Sequence, residues 1–289
     1  MQFREYLHSM RLKQSIKNLL VVLAPLASGE ILGLISISRI FFAFLVFTVA
    51  ASSVYVLNDC IDIQTDKNDP EKCNGPITSG KIRKKNAYLF SFTLGTISLI
   101  LAITLGKSVF LLILTYLVIN IFYSTKLKTQ PVIEIFCVAS GFVIRAIVGG
   151  QSTGIIISES FILIVAWASI FVVVSKRMTE KRMIKKFDFV DNRIIVTREV
   201  LTKYSDDFLI FALTVTGSLF LFSYSVWALS FTDNFHRYSI VLVAILLFRF
   251  ACDLDNSRTK STVDKFLGDP FLIFMSLLLS IFLIIPTWF

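Results

Sequence analysis

Nine runs of mostly apolar residues succeed one another along the chain, more than any water-soluble core could bury. They lie approximately at Leu19–Ile37, Ile40–Leu57, Ala87–Leu105, Val109–Phe122, Val132–Gly149, Phe161–Ser175, Phe208–Ser230, Tyr238–Ala251 and Phe266–Phe289. A helix needs about 20 apolar residues to cross a bilayer. The shorter runs are expected to extend into the interface or to pack inside a bundle. In hydrocarbon every backbone amide must be satisfied by the protein itself, so only helices and closed barrels span. These runs are continuously apolar rather than alternating, which excludes a barrel. Composition agrees: 55% of the 289 residues are hydrophobic, 28 are Phe and 17% are charged. Soluble domains carry about 25% charge. The expected fold is all-α, a polytopic membrane bundle of about nine transmembrane helices. Residues 1–289 are expected to form one transmembrane domain, with no separate soluble domain.

The net charge is +9. In a soluble chain that would point to nucleic acid, but here the basic residues occupy short segments between apolar runs, so no nucleic-acid partner is expected. With the N-terminus inside, 24 of the 29 Lys and Arg fall on the inner side and only Arg39, Lys107 and Arg237 on the outer. Arg145 and Arg249 fall within spans. The positive-inside rule then places the N-terminus and the polar loops in the cytoplasm and the C-terminus on the opposite side. Basic residues before the first run resemble a signal peptide, but the many runs that follow make a retained span simpler. Cys60, Cys73, Cys137 and Cys252 form no close pair, and no disulfide framework or zinc site follows. His8 and His236 lie far apart and are expected at surface or interfacial positions.

The polar chemistry concentrates after the second run, at Asn58-Asp59-Cys60-Ile61-Asp62-Ile63-Gln64-Thr65-Asp66. If the helix continues, Asn58, Asp62 and Asp66 stand at i,i+4 steps, and Asp59 and Asp62 at i,i+3, so these side chains share a face. Acids so placed repel one another and oppose the helix macrodipole at a C-terminus. A divalent cation compensates: Mg²⁺ takes oxygen ligands and bridges carboxylates to substrate phosphates. Asp59, Asp62 and Asp66 are therefore the candidate metal ligands, weighed against a solvated acidic helix end. Lys72 and Lys81 lie nearby in a Pro- and Gly-rich loop. A second inner segment brings Tyr123, Lys126, Lys128 and Glu134 together. Arg145, about three turns beyond Glu134, projects from the same side of the fifth run. A charge there is costly and faces either a cavity or a structural partner. Lys176 and Arg177 end the sixth run, at the head of a basic stretch that also suits anionic lipid.

The Asn58–Asp66 run matches the NDxxDxxxD motif, and in a nine-span context the chain resembles the UbiA superfamily of intramembrane prenyltransferases. It is most similar to the decaprenyl-phosphate phosphoribosyltransferase branch. The likeness includes Arg11-Leu12-Lys13-Gln14-Ser15-Ile16-Lys17-Asn18, Asp69-Pro70-Glu71-Lys72, Pro76-Ile77-Thr78-Ser79-Gly80, Tyr123-Ser124, Leu127-Lys128, Gly141-Phe142-Val143-Ile144-Arg145-Ala146 and Lys176-Arg177. Two departures touch the donor site: Asn74-Gly75 stands where the branch has a basic residue, and Glu134 stands for a second-motif Asp. The resemblance implies a Mg²⁺-dependent transferase that releases pyrophosphate, with Asp59, Asp62 and Asp66 catalytic. Asn58, Lys17, Lys72, Tyr123, Lys128, Glu134, Arg145, Lys176 and Arg177 would bind substrate. The implied partners are a polyprenyl lipid, a pyrophosphate-bearing co-substrate and membrane lipids; homo-oligomerisation is left open. Phosphoribosyl transfer to polyprenyl phosphate is the leading expectation. Prenyl transfer from a polyprenyl diphosphate to an aromatic or other acceptor is the alternative, and a transporter or channel a further one. Against transport, the outer loops are almost uncharged and no inverted repeat is evident.

Overall fold

The computed structural model describes residues 2–26, 33–67, 69, 72–190, 199–256 and 269–284, except the side chains of 2, 184–190, 255–256 and 284. All regular structure among them is helical. The chain divides into two compact units, Met1–Ile157 with Ile194–Val200, and Ser158–Arg193 with Leu201–Phe289.

The first unit opens with a short helix, α1 (Gln2–Ser9), a 3₁₀ segment Leu12–Asn18, and α2 (Leu19–Leu26). Then come α3 (Leu34–Ile61), α4 (Ile63–Lys67), α5 (Lys84–Leu105), α6 (Lys107–Thr125) and α7 (Ile133–Thr153). α3 is the central element and packs against α5, α6 and α7, while α2 lies along α7. Small residues on α3 permit this crowding: Ala43, Ala50, Ala51 and Ser52 are all buried. They interleave with Val46, Phe47 and Val54 against Ala102, Ile113, Tyr116 and Val148 from the neighbouring helices. In lipid there is no hydrophobic drive between helices, so close van der Waals packing and interhelical hydrogen bonds must hold them. Both are present. The Ser53 hydroxyl donates to the Ser91 carbonyl at 2.9 Å and the Ser91 hydroxyl donates to the Ser53 carbonyl at 2.8 Å, a reciprocal clasp between α3 and α5. At the α2–α7 crossing, a Cβ on Gly149 would stand 2.2 Å from the Val21 carbonyl oxygen.

The second unit contains α8 (Glu159–Val190), α9 (Asp206–Leu229), α10 (Asn234–Asn256) and α11 (Pro270–Ile284), and the 3₁₀ turn Glu199–Lys203 begins in the first unit and ends in the second. α8 packs on α9, α9 on α10, and α10 on α11. Ser205 caps α9, accepting from the Phe208 amide, with Asp206 and Asp207 in the first turn where the dipole favours them. The Arg249 guanidinium donates to Asp269 at 2.8 Å.

Among the described residues six helices, α3, α5, α6, α7, α8 over Glu159–Met183, and α9, are long and apolar enough to cross a membrane. Many of their large apolar side chains point outward, including Phe41, Phe92, Phe211 and Phe222. In a membrane protein that surface faces lipid. Three expectations need correction. The first apolar run is not one helix: α2 stops at Leu26, residues 27–32 lie outside the described set, and Leu34–Ile37 already belong to α3. Arg39 is likewise inside α3 rather than in a loop. His236 is not at the surface. It is 5% exposed, bonded to Asp233 at 2.6 Å and stacked on Phe231 with ring centroids 4.0 Å apart. Asp233 also accepts the His236 amide, so the pair closes the turn into α10.

Candidate active site

The acidic run sits where α3 ends. α3 does not continue through Asp66 as the spacing implies: it stops at Ile61, and Asp62 adopts φ −92°, ψ 10° before α4 begins. Four-residue backbone bonds bridge the break, from the Asp62 amide to the Asn58 carbonyl at 2.9 Å and from the Asp66 amide to the Asp62 carbonyl at 2.8 Å. The kink therefore keeps the segment coiled but turns its acids in different directions. Asn58 and Asp62 both face the C-terminal end of α6. The Ser124 hydroxyl donates to the side-chain Oδ1 of Asn58, and Lys128, in the 3₁₀ turn after α6, bonds Asp62. Asp59 faces the N-terminal segment, where the Arg11 guanidinium lies 2.6 Å from its Oδ1. Asp66 is 4% exposed and receives Lys72 at 2.9 Å, with Asp69 4.0 Å from the same ammonium.

Each of the three carboxylates thus carries its own cation. Among the described residues no group of three His, Cys, Asp or Glu side chains is gathered as a metal-ligand set. The chemistry of the donors nonetheless suits a hard divalent ion, because three carboxylates and an amide oxygen lie within nine residues of chain, and Mg²⁺ needs only one or two protein carboxylates beside substrate phosphates. Asp59, Asp62 and Asp66 are the side chains that could hold it.

Deeper in the same unit lies a second charged feature. Arg145 is 4% exposed. Its Nε donates to Asn18 at 2.8 Å, one terminal nitrogen to the Gly141 carbonyl at 2.6 Å, and the other approaches the Tyr116 hydroxyl at 3.5 Å. The guanidinium lies 4.6 Å from the ring centroid of Phe47 and 5.2 Å from that of Tyr116. Asn18 in turn donates to Thr48 on α3 at 3.0 Å. Arg145 therefore ties α7 to α6 and to the N-terminal segment through neutral partners and aromatic faces rather than through a salt bridge.

Lys17 reaches Gln14 at 3.4 Å. Tyr123 is half-buried beside Ser124, and Glu134 is fully buried in the first turn of α7. Lys176 and Arg177 belong to the second unit, where both pair with Glu180, at 3.9 Å and 2.7 Å. Arg177 is buried and Lys176 exposed. Sequence reasoning did not single out Arg11, Asn18 or Ser124 as site residues. Arg11 and Asn18 flank Lys17 in the same motif, and Ser124 stands four residues before Lys128, matching the Asn58–Asp62 step opposite.

The UbiA prenyltransferase family profile matches residues 19–278. The chain is a member of the UbiA prenyltransferase family. It is 32% identical over 268 residues to decaprenyl-phosphate phosphoribosyltransferase of Mycobacterium tuberculosis, covering 90% of this chain and 87% of the relative. To the protein of the same name from Corynebacterium glutamicum it is 31% identical over 271 residues, covering 90% and 80%. A solved UbiA homolog from Archaeoglobus fulgidus bound to DMAPP and Mg²⁺ superposes with a TM-score of 0.70 at 17% identity, over 96% of each chain. This UbiA-family chain is an integral membrane transferase, and its all-helical fold is that of the family.

Proposed function

We propose that the chain transfers 5-phosphoribose from phosphoribosyl pyrophosphate to a polyprenyl phosphate, using Mg²⁺ held by Asp59, Asp62 and Asp66, with residues 1–289 acting as one transferase domain. The observation that carries the reading is the cluster of three carboxylates and three basic side chains at the α3–α6 end of the first unit. Its support for the donor is the shared identity with relatives of that activity over nearly the whole chain. The positive-inside asymmetry supports a cytoplasmic position for this end, the side on which a soluble phosphoribosyl donor would reach it.

Bound Mg²⁺ would neutralise the departing pyrophosphate as a Lewis acid. The residues of the chain supply the rest. Lys72 and Lys128, on opposite sides of the acid run, clamp pyrophosphate oxygens. Ser124 fixes the Asn58 amide, so its orientation is set before substrate arrives. The lipid phosphate attacks the sugar carbon as the carbon–oxygen bond to pyrophosphate breaks, and positive charge develops on the ring. Arg145 holds Asn18 and its neighbouring segment in place. Packed apolar side chains below the acids exclude competing water and strengthen the fixed charges around the reaction.

The test is a pair of incubations of purified protein with Mg²⁺. One contains labelled phosphoribosyl pyrophosphate and polyprenyl phosphate. The other contains polyprenyl diphosphate and an aromatic acid. A labelled lipid phosphoribose in the first, lost with chelator and restored by Mg²⁺, supports the proposal. Product only in the second replaces it with prenyl transfer. Flux across proteoliposomes without product in either would favour transport.

A further inference from the structure

The short helix α1 has two faces that the proposed reaction does not use. Phe3, Tyr6, Leu7 and, just past its end, Met10 stand at three- and four-residue steps and form one apolar stripe. Arg4, Glu5 and His8 occupy the opposite side. Helices of this pattern lie in the plane of the membrane interface, apolar face down. Each face of α1 walls a cavity. The apolar stripe closes a groove of about 350 Å³ against Phe90 and Leu94 of α5. The polar side, with Asn74 and Lys81 from the loop before α5, lines a cavity of about 700 Å³.

The two cavities lie in the order of an amphipathic molecule. α5 begins at Lys84, so Lys81 is just outside the span, while Phe90 and Leu94 lie about 9 and 15 Å along it at the helical rise. Arg4 and Lys81 outweigh Glu5, which reaches Lys81 at 3.4 Å, and His8 adds a ring donor. Arg83, Lys84 and Lys85 follow at once in the sequence, and basic clusters beside a span attract anionic headgroups. The protein itself holds mainly the far end of α1. The Ser52 hydroxyl of α3 donates to the Met10 carbonyl at 3.1 Å, and the chain turns away through Arg11, in the left-handed region at φ 51°, ψ 45°. The Tyr6 ring meets Phe90 edge-on, with centroids 4.9 Å apart. The rest of the apolar stripe is poorly covered, with Phe3 75% and Leu7 40% exposed.

We propose that α1 and the start of α5 form a binding site for one anionic glycerophospholipid, with its phosphate among Arg4, His8 and Lys81 and an acyl chain in the groove beside Phe90 and Leu94. A free phosphate would satisfy the polar cavity and leave the groove open. A neutral lipid would fill the groove and leave the basic side chains without an anion. An anionic phospholipid does both, and completes the cover of α1 that the protein provides only in part. The inference rests on membrane insertion and not on which group the enzyme transfers.

The experiment titrates the full chain in neutral detergent with phosphatidylglycerol or phosphatidylcholine and counts bound lipid by native mass spectrometry. The first phosphatidylglycerol should bind at least about tenfold more tightly than phosphatidylcholine. The double variant Arg4→Gln, Lys81→Gln should lose that preference, since each basic residue beside an anionic headgroup contributes about fivefold, while its phosphatidylcholine affinity stays unchanged. Both side chains are exposed, so the fold should survive their replacement. Phosphatidylglycerol carrying a photoreactive diazirine in its acyl chain should label α5 between Phe90 and Leu94, and Leu94→Trp, which fills the groove, should remove that label. Equal affinity for the two lipids in the wild type, an unchanged preference in the double variant, or labelling away from α1 and α5 overturns the proposal. Displacement by excess inorganic phosphate would make the cavity a free-phosphate site, and tighter binding of polyprenyl phosphate than of phosphatidylglycerol would make it a site for that lipid; either result overturns the proposal too.

Discussion

Asp62 occupies the break between α3 and α4, and Asp66 lies buried a turn later. Each pairs with a lysine, Asp62 with Lys128 and Asp66 with Lys72. Replacing either with Asn keeps size and hydrogen bonding while removing the charge a metal needs. Asp62→Asn and Asp66→Asn are each expected to lower turnover by at least about 10²-fold, an electrostatic effect of the usual size, while the protein still reaches the membrane. Radiolabelled product formation and membrane immunoblots check the two halves, and full activity in either variant refutes the metal assignment. Arg145→Lys tests a different kind of residue. Lysine cannot hold Asn18 and the Gly141 carbonyl together while lying against Phe47 and Tyr116, because it lacks the planar fork. Leaving the side-chain Oδ1 of Asn18 unpaired should lower stability by about 1–3 kcal/mol, read from unfolding in detergent. At this scale the acid run itself was legible, because its spacing is carried by local backbone geometry. The pairing of Arg11 with Asp59 was not. It depends on a left-handed turn at a residue whose type does not announce it.

Helix packing sets the next scale. Gly149 lets α2 and α7 meet backbone to side, and any Cβ there drives into the Val21 carbonyl 2.2 Å away. The obstructing atom is backbone, so no rotamer change relieves it. Gly149→Ala should push α2 off α7 and destabilise the first unit by about 1–3 kcal/mol, the usual cost of overpacking. A lowered melting temperature in detergent checks this, and an unchanged one would place the crossing elsewhere. The same logic explains what the apolar pattern did and did not reveal. It located the helices because hydrophobicity is averaged over many residues. It misplaced the start of α3, because a mostly apolar stretch from Leu34 to Ile37 fits the end of one helix as well as the beginning of the next. It also could not see the Ser53–Ser91 clasp, which needs the α3–α5 register rather than either helix alone.

For the whole molecule, the quantity to determine is which end faces which compartment. Ser79, before α5, and Thr232, after α9, are both exposed. Between them run α5, α6, α7, α8 and α9, all long and apolar enough to span. Five crossings separate opposite sides whatever the absolute orientation. Charge then selects the side: Lys72, Lys81, Arg83, Lys84 and Lys85 surround Ser79 in sequence, whereas only Arg237 lies near Thr232. Translocating such a basic segment is disfavoured, so Ser79 is expected in the cytoplasm. In a background with the four native cysteines replaced and activity retained, Ser79→Cys should resist a membrane-impermeant maleimide in intact cells and react after permeabilisation. Thr232→Cys should react in intact cells. Labelling of both from one side would break the five-crossing count. The reversed pattern would keep the count but put the acidic cluster outside, away from the phosphoribosyl donor on which the proposed reaction depends.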